Sequence, residues 1–200
     1  MARPRATIAP SALVGAFAAH GVQGVSSDDL ADAAGVAKPT LYAHGHTKQT
    51  LYLLAVEAEV ERLLERLQRA DRLTRGRSAR DRATATAYAI LNHAAARPDG
   101  LRLIARAAND RGAPGTEPAV TAVARVPERI TVALKRDLTA DGLDATLAPF
   151  LAHAIWGATL ALAAAPARDR RPSRERLAAL AASLVPPPPS LPTEQWPVTI

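Results

Sequence analysis

The chain has 200 residues, no cysteine, 48% hydrophobic and only 4% aromatic residues, and a formal net charge of +6. Its length is enough for one or two small domains with a sizeable core, and the missing thiols exclude a disulfide framework, a thiolate metal site and a cysteine nucleophile. Alanine dominates the apolar fraction, and because alanine is the strongest helix former an all-α fold is expected. A sequence pI near 10.4 suits an anionic partner, of which nucleic acid is the common one. A thiol-free chain also fits a reducing cytoplasm, and the N-terminus lacks the continuous apolar core of a signal peptide.

In chain order, Met1 to Arg5 is a short basic arm able to touch a DNA backbone or minor groove. Thr7 is placed to cap a first helix reaching about Ala19, with Pro10 in its first turn and Leu13, Phe17 and the small Ala9 and Ala16 on its buried face. Ser26 or Ser27 caps a second helix, and Asp29, three residues after Ser26, supplies the acid of a capping box. Leu30, Ala31 and Ala34 give that helix one short apolar face. Gly35 then stands where a chain leaving a helix needs a left-handed residue, and Val36 fixes the crossing of the next one.

The third helix starts near Lys38 and carries Thr40, Leu41, Tyr42 and His44. Its outer face is small and mixed, which suits insertion into a DNA major groove. Lys38, Pro39, Thr40 and Ala43 are the candidates to face base edges: the methyls of Thr40 and Ala43 toward thymine methyls, Lys38 toward guanine or a phosphate. Lys48 opens the following helix at its positive end, an unfavourable place for a cation unless a phosphate lies between it and the free N–H groups. His44 and His46 form a His-x-His with no carboxylate or cysteine nearby, so no metal site is expected.

The fourth helix is long, with Leu51, Leu54, Ala55, Ala58, Leu63, Leu64 and Leu67 at helical spacing, and it ends at a linker, Thr74 to Ser78. The arginines between Arg62 and Arg82 alternate with acids and read as solvated faces. A fifth helix spans Ala79 to Ala96 and a sixth Asp99 to Asn109. After a breaker-rich loop at 111–118 a seventh helix presents Val123, Val126, Ile130, Leu134 and Leu138, and Pro127 kinks or divides it. Asp144 to Ala165 is apolar nearly all round, from Phe150 to Leu162, so it needs partners on every side, a second copy of the chain among them. Its run Ala154 to Ala167 is too short to span a bilayer. Ser173 to Leu184 is the last helix, with Leu177, Leu180 and Leu184 as its stripe, and Val185 to Ile200 is a Pro-rich tail whose Trp196 could dock on the body.

The stretch AAGVAKPTLYAHGHTKQTLY, with Ala12, Leu13, Phe17 and Gly21 upstream, resembles the helix-turn-helix signature of the TetR family of transcriptional regulators. The likeness covers roughly residues 6 to 60. It implies an N-terminal three-helix helix-turn-helix unit over 1–50, with a lever helix from near Lys48, a helical ligand-binding and dimerisation domain over 51–185, and the tail over 186–200. It further implies a homodimer joined by its last two long helices, a pseudo-palindromic double-stranded operator, and His44 as a phosphate contact beside Tyr42 and Lys48. An effector pocket would lie among the later helices. Tyr88, Leu91, Asn92, His153 and Trp156 are its candidates, with core or dimer-seam packing as the other reading. Two positions depart from the family pattern: Ala37 replaces a Ser or Thr cap, and Gly45 stands where a packed Phe is usual.

No Ser-His-Asp pairing, phosphate loop or paired carboxylate is present, so neither an enzyme nor a cofactor is expected. The expected function is a repressor released by a small molecule. The alternative is an effector-independent DNA-binding protein whose C-terminal domain only dimerises.

Overall fold

The computed structural model describes residues 8–42, 46–110, 112–165 and 172–187. All regular structure among them is helical, as composition implied: α1 (Pro10–Gly24), α2 (Ser27–Ala34), α3 (Lys38–Tyr42), α4 (Lys48–Leu73), α5 (Ala79–Ala96), α6 (Pro98–Asn109), α7 (Glu117–Ala140), α8 (Ala148–Ala164) and α9 (Arg174–Ala182), with a 3-10 turn at Ala145–Leu147. The chain forms two compact units, one of Met1–Glu65 with Asn92–Val126, the other of Arg66–Leu91 with Pro127–Ile200.

In the first unit α1 begins at Pro10 behind Ala9, which makes no side-chain cap; the expected cap, Thr7, lies outside the described residues. The helix breaks at Gly21, with φ 67° and ψ 177°, a conformation that favours glycine, and Arg106 of α6 lies against it: a Cβ there would stand 3.0 Å from Arg106 Nη1. Arg106 Nη2 also donates to the Ala19 carbonyl at 3.3 Å, tying α6 to the end of the regular part of α1. The capping box on α2 is complete, with Asp29 N–H donating to Ser26 Oγ at 3.0 Å and Ser26 N–H to Asp29 Oδ2 at 3.1 Å.

Leu13, Phe17, Leu30, Leu41, Leu51, Tyr52 and Ile104 are fully buried here. Phe17 and Tyr52 meet edge to face, ring centres 5.2 Å apart, an arrangement the ring quadrupoles favour. The Tyr52 hydroxyl donates to Asp110 Oδ2 at 2.6 Å. Burial, then that bond, pushes the Tyr52 phenol well above its ordinary value.

About two turns further along α4 from Tyr52, on the same stripe as Tyr52, Ala55, Val56 and Leu63, stands Glu59, with no solvent exposure. It accepts Arg97 Nε at 2.8 Å, Arg97 Nη2 at 2.5 Å and Arg62 Nη1 at 2.7 Å, with His93 Nε2 at 3.7 Å. Burial alone would raise its pKa; the Arg97 hydrogen bonds and charge, with Arg62 and His93, outweigh burial and hold it below the usual value. Gly100 makes room for this group, since a Cβ there would stand 2.9 Å from Glu59 Cδ and closer still to its Oε2.

The second unit contains the end of α4, most of α5, the later part of α7, and α8 and α9. Pro127 neither divides α7 nor stops it: one helix runs through from Glu117 to Ala140. The reading of the Arg62 to Arg82 run as a solvated face holds for the exposed Arg69, Arg72, Arg75 and Arg77 but not for Arg82, which is only 7% exposed. Its Nε donates to Asp137 Oδ2 at 2.8 Å, its Nη1 to the Thr74 carbonyl at 2.6 Å, and its Nη2 to Asp71. Asp71 also accepts Arg129 at 3.2 Å and Arg136 at 2.7 Å. The Arg136 hydrogen bond, opposed by partial burial and aided by the charges of Arg136 and Arg82, holds the Asp71 carboxyl at about 2.

α8 buries Ala148, Ala152, Ile155, Trp156 and Thr159 and leaves Phe150 75% exposed. The span Ala145–Ala164 has 20 residues and a window of mean hydropathy 1.6, 28% of it buried, long and apolar enough by those measures to cross a membrane. The apolar stretch reaches back to Ala145 through the 3-10 turn, further than the run Ala154 to Ala167, and its inner face, Ala148, Ala152, Ile155, Trp156 and Thr159, packs as a core helix. α9 packs on α8 and is capped by Ser173, whose Oγ accepts from Arg176 N–H. Of its expected stripe only Leu177 is buried; Leu180 and Leu184 are exposed, and Ala178, Ala181 and Ala182 take the inner face. Residues 188–200, with Trp196, lie outside the described residues.

Gly100→Ala should displace Glu59 from Arg97 and lower stability by about 3–5 kcal/mol, the usual cost of breaking a buried pair. Urea denaturation checks this, and an unchanged midpoint would show that the site relaxes freely. Asp71 has a depressed pKa, so its stabilisation is fully present above its unfolded value of 3.8 and disappears as the pH falls to about 2. The parent should lose about 2 kcal/mol across that window, and Asp71→Asn, already destabilised at neutral pH, should lack this part of the acid limb. Parallel acid profiles for the two proteins would exclude the assignment.

Candidate nucleic-acid interface and regulatory cavity

The geometry of the α2–α3 unit follows from its turn. Gly35 is left-handed, φ 64° and ψ 31°, and its N–H reaches the Ala31 and Asp32 carbonyls, while Val36 N–H bonds Ala31 O at 3.1 Å. This Schellman arrangement satisfies the last carbonyls of α2 and turns the chain sharply into α3. Leu41 then faces the core with no exposure, which leaves Lys38 and Pro39 exposed and Thr40 half-buried on the other side. Lys38 Nζ lies 3.0 Å from Asp28 Oδ1 in a surface ion pair, a weak contact that a stronger anion can displace.

Two of the residues expected to meet phosphate come together. Tyr42 Oη lies 2.8 Å from Ser27 Oγ, and Lys48 Nζ donates to the Val25 carbonyl at 2.8 Å. Both therefore reach the same short stretch, Val25 to Ser27, at the N-terminus of α2. The start of α4 is closed by a reciprocal pair that the sequence reading missed: Thr50 N–H donates to Thr47 Oγ1 at 3.1 Å and Thr47 N–H to Thr50 Oγ1 at 2.6 Å. Lys48 thus faces a carbonyl at the end of α1 rather than free N–H groups of its own helix. The spacing of Thr47 and Thr50 was the available signal, a Thr-x-x-Thr variant of the capping box. Ala43, His44 and Gly45 lie outside the described residues.

The second unit holds a small, partly open cavity of about 20 Å³ between α4, α5 and α7. Its polar side is formed by Asp71, Arg82, Thr86, Arg129 and Asp137, its apolar side by Leu67, Ile130 and Leu134 among others. None of the five pocket candidates read from the sequence lines it. Tyr88 is half-buried and bonds Glu175. Leu91 is buried, and Asn92 is half-buried and belongs to the first unit. His153 is exposed, with Nδ1 2.8 Å from the Pro149 carbonyl, and Trp156 is buried in α8. The cavity's charged residues were legible in part, since Arg82 falls on the same helical face as Ala79, Ala83 and Ala87. Among the described residues no group of three or more His, Cys, Asp or Glu is arranged to hold a metal ion.

Residues 11–55 match the family of bacterial regulatory proteins called the tetR family. A curated relative, the HTH-type transcriptional activator FasR of Mycolicibacterium smegmatis, is 36% identical over 72 residues, which span 36% of this chain and 33% of that protein. A Clostridium perfringens putative fatty acid metabolism regulator has the same fold, with a TM-score of 0.72 at 16% identity over 86% of this chain and 93% of that one. AibR, solved in complex with isovaleryl coenzyme A and operator DNA, matches with a TM-score of 0.68 at 16% identity over 90% and 96%. Residues 11–55 thus carry the DNA-binding helix-turn-helix of the tetR family of bacterial regulatory proteins, and the chain as a whole shares its fold with TetR-like transcriptional regulators.

Proposed function

We propose that the protein is a dimeric repressor that binds a pseudo-palindromic operator in the cytoplasm and leaves it when a small molecule binds the second unit. The observation that carries the DNA reading is the meeting of Tyr42 and Lys48 at the N-terminus of α2. A DNA phosphate placed there receives a phenol, an ammonium and the positive end of a helix at once. Lys38, Pro39, Thr40 and Ala43 then face base edges, and His44 joins the phosphate contacts. AibR, a protein of the same fold, was solved with both operator DNA and an acyl coenzyme A, which supports pairing a DNA site with an effector site here. The name of the M. smegmatis relative, an activator, favours a second reading in which the bound dimer recruits rather than blocks. An operator-fused reporter decides the sign: deleting the regulator raises expression under repression and lowers it under activation.

The dimer is expected at α8 and α9. Phe150 is 75%, Leu180 60% and Leu184 54% exposed, and Phe150, Ala154, Gly157 and Ala161 repeat along α8 at helical spacing. Large apolar side chains so exposed on two adjoining helices are characteristic of an interface. Two recognition helices so joined would enter successive major grooves about 34 Å apart.

Lys48→Ala should weaken operator binding and reduce the slope of log K against log salt by about 0.9, the value for one phosphate contact. Thr40→Ala should alter sequence preference and leave that slope unchanged. Gel shifts across a salt series test both, and a Lys48→Ala slope equal to the parent's removes Lys48 from the phosphate contacts. Phe150→Asp with Leu180→Asp should convert the dimer to monomer in sedimentation velocity while helical content is retained; a dimer that survives both changes is built elsewhere.

A further inference from the structure

The cavity of the second unit is lined by Arg82 and Arg129 against Asp71 and Asp137, and Arg136, outside the lining, gives the ion network around it one cation in excess. Arg82, Arg129 and Arg136 bring three cations against the two carboxylates of Asp71 and Asp137. Arg82 is fully engaged through Nε, Nη1 and Nη2, and Arg136 bridges Asp71 and Asp137. Arg129 is different. Its one contact among the described residues is Nη2 to Asp71 Oδ2, at the long distance of 3.2 Å, so most of its five donors are uncommitted. Thr86, beside it in the cavity wall, makes no side-chain hydrogen bond among the described residues, although Thr84 one position away from its neighbour bonds back to the Arg80 carbonyl at 2.9 Å. A cation, a free donor fork and a free hydroxyl thus face one space whose other wall is aliphatic.

We propose that this cavity binds a small organic monoanion, a carboxylate held by Arg129 and the Thr86 hydroxyl, with a short aliphatic chain against Leu67, Ile130 and Leu134. The proposal rests on the effector reading above and names the chemistry of the effector. A guanidinium fork matches two carboxylate oxygens. A neutral ligand leaves the excess charge uncompensated, a cation adds to it, and a dianion brings a second charge against Asp71 and Asp137. The cavity is partly open and its volume of about 20 Å³ admits a group little larger than a water molecule, so a carboxylate head enters it, the chain lies along its open aliphatic side, and a ring system does not fit. The Arg129–Asp71 contact also joins α7 to α4. A carboxylate competing for Arg129 loosens that tie, which gives the ligand a differential interaction with two arrangements of the unit.

Calorimetric titration of the full chain with butyrate, butyramide and butylammonium at constant ionic strength tests this. Butyrate should bind saturably and the other two about tenfold or more weakly, the scale of a charge-assisted hydrogen bond. Arg129→Gln should lose a similar factor for butyrate, with Arg129→Lys between it and the parent. Equal binding of butyramide and butyrate by the parent overturns the proposal without relying on any variant's folding; so does equal butyrate binding by Arg129→Gln, or no saturable butyrate binding. Operator affinity followed in the same samples separates the two readings. Butyrate bound through Arg129 with operator affinity unchanged upholds the site and overturns its regulatory role. Operator release by a ligand indifferent to Arg129 upholds regulation and overturns the site.

Discussion

The DNA-binding unit depends on one buried ring. Tyr52 packs edge to face on Phe17 of α1 and reaches Asp110 just after α6 with its hydroxyl, so one side chain from α4 fixes two other segments of the chain. A tyrosine fully buried among leucines is favourable only if its hydroxyl is satisfied, and Asp110 satisfies it. The loop bearing Asp110 is in turn held by Thr116, whose Oγ1 donates to the Asp110 carbonyl at 2.8 Å. α2 and α3 are then placed by Leu30 and Leu41, which enter the same unit fully buried. Lys38 and Pro39 on the outer side of α3 stay exposed because its inner side is committed here.

Much of this was legible. Ser26, Asp29 and Gly35 specify a local geometry by themselves: a hydroxyl and a carboxylate at capping distance, and a residue without a Cβ where φ is positive. The end of α5 followed from Pro98, which excludes a continuing helix, for the same local reason. The charged interior was not read, although a trace of it lay in the pattern. Glu59 interrupts the stripe of Tyr52, Ala55, Val56 and Leu63, and Arg82 that of Ala79, Ala83 and Ala87. What the pattern omits is the partner, because Arg97 lies 38 residues from Glu59 and Asp137 lies 55 from Arg82. Long-range pairing has no sequence period. The inward side of α9 differs from its leucine period for a related reason: Ala178, Ala181 and Ala182 are buried there, and Leu180 and Leu184 remain outside.

The alanine content explains why charge enters the interior at all. An alanine face supplies one methyl per residue, so helices packed through Ala79, Ala83, Ala87, Ala178 and Ala182 bury little apolar area per contact. Such faces are also nearly identical when shifted by one turn, and so fix register poorly. Arginine remedies both. Its aliphatic stem fills volume that a methyl leaves, and its planar head accepts only a set geometry of acceptors. Arg82 meets Asp137, Asp71 and the Thr74 carbonyl together, and a shift of α5 by one turn, about 5.4 Å, breaks all three. In this protein the ion network does for register what interlocking large side chains do in a leucine-rich core. It also places charge beside an apolar cavity, so the device that sets the packing of the second unit is the one that gives its cavity a chemical preference.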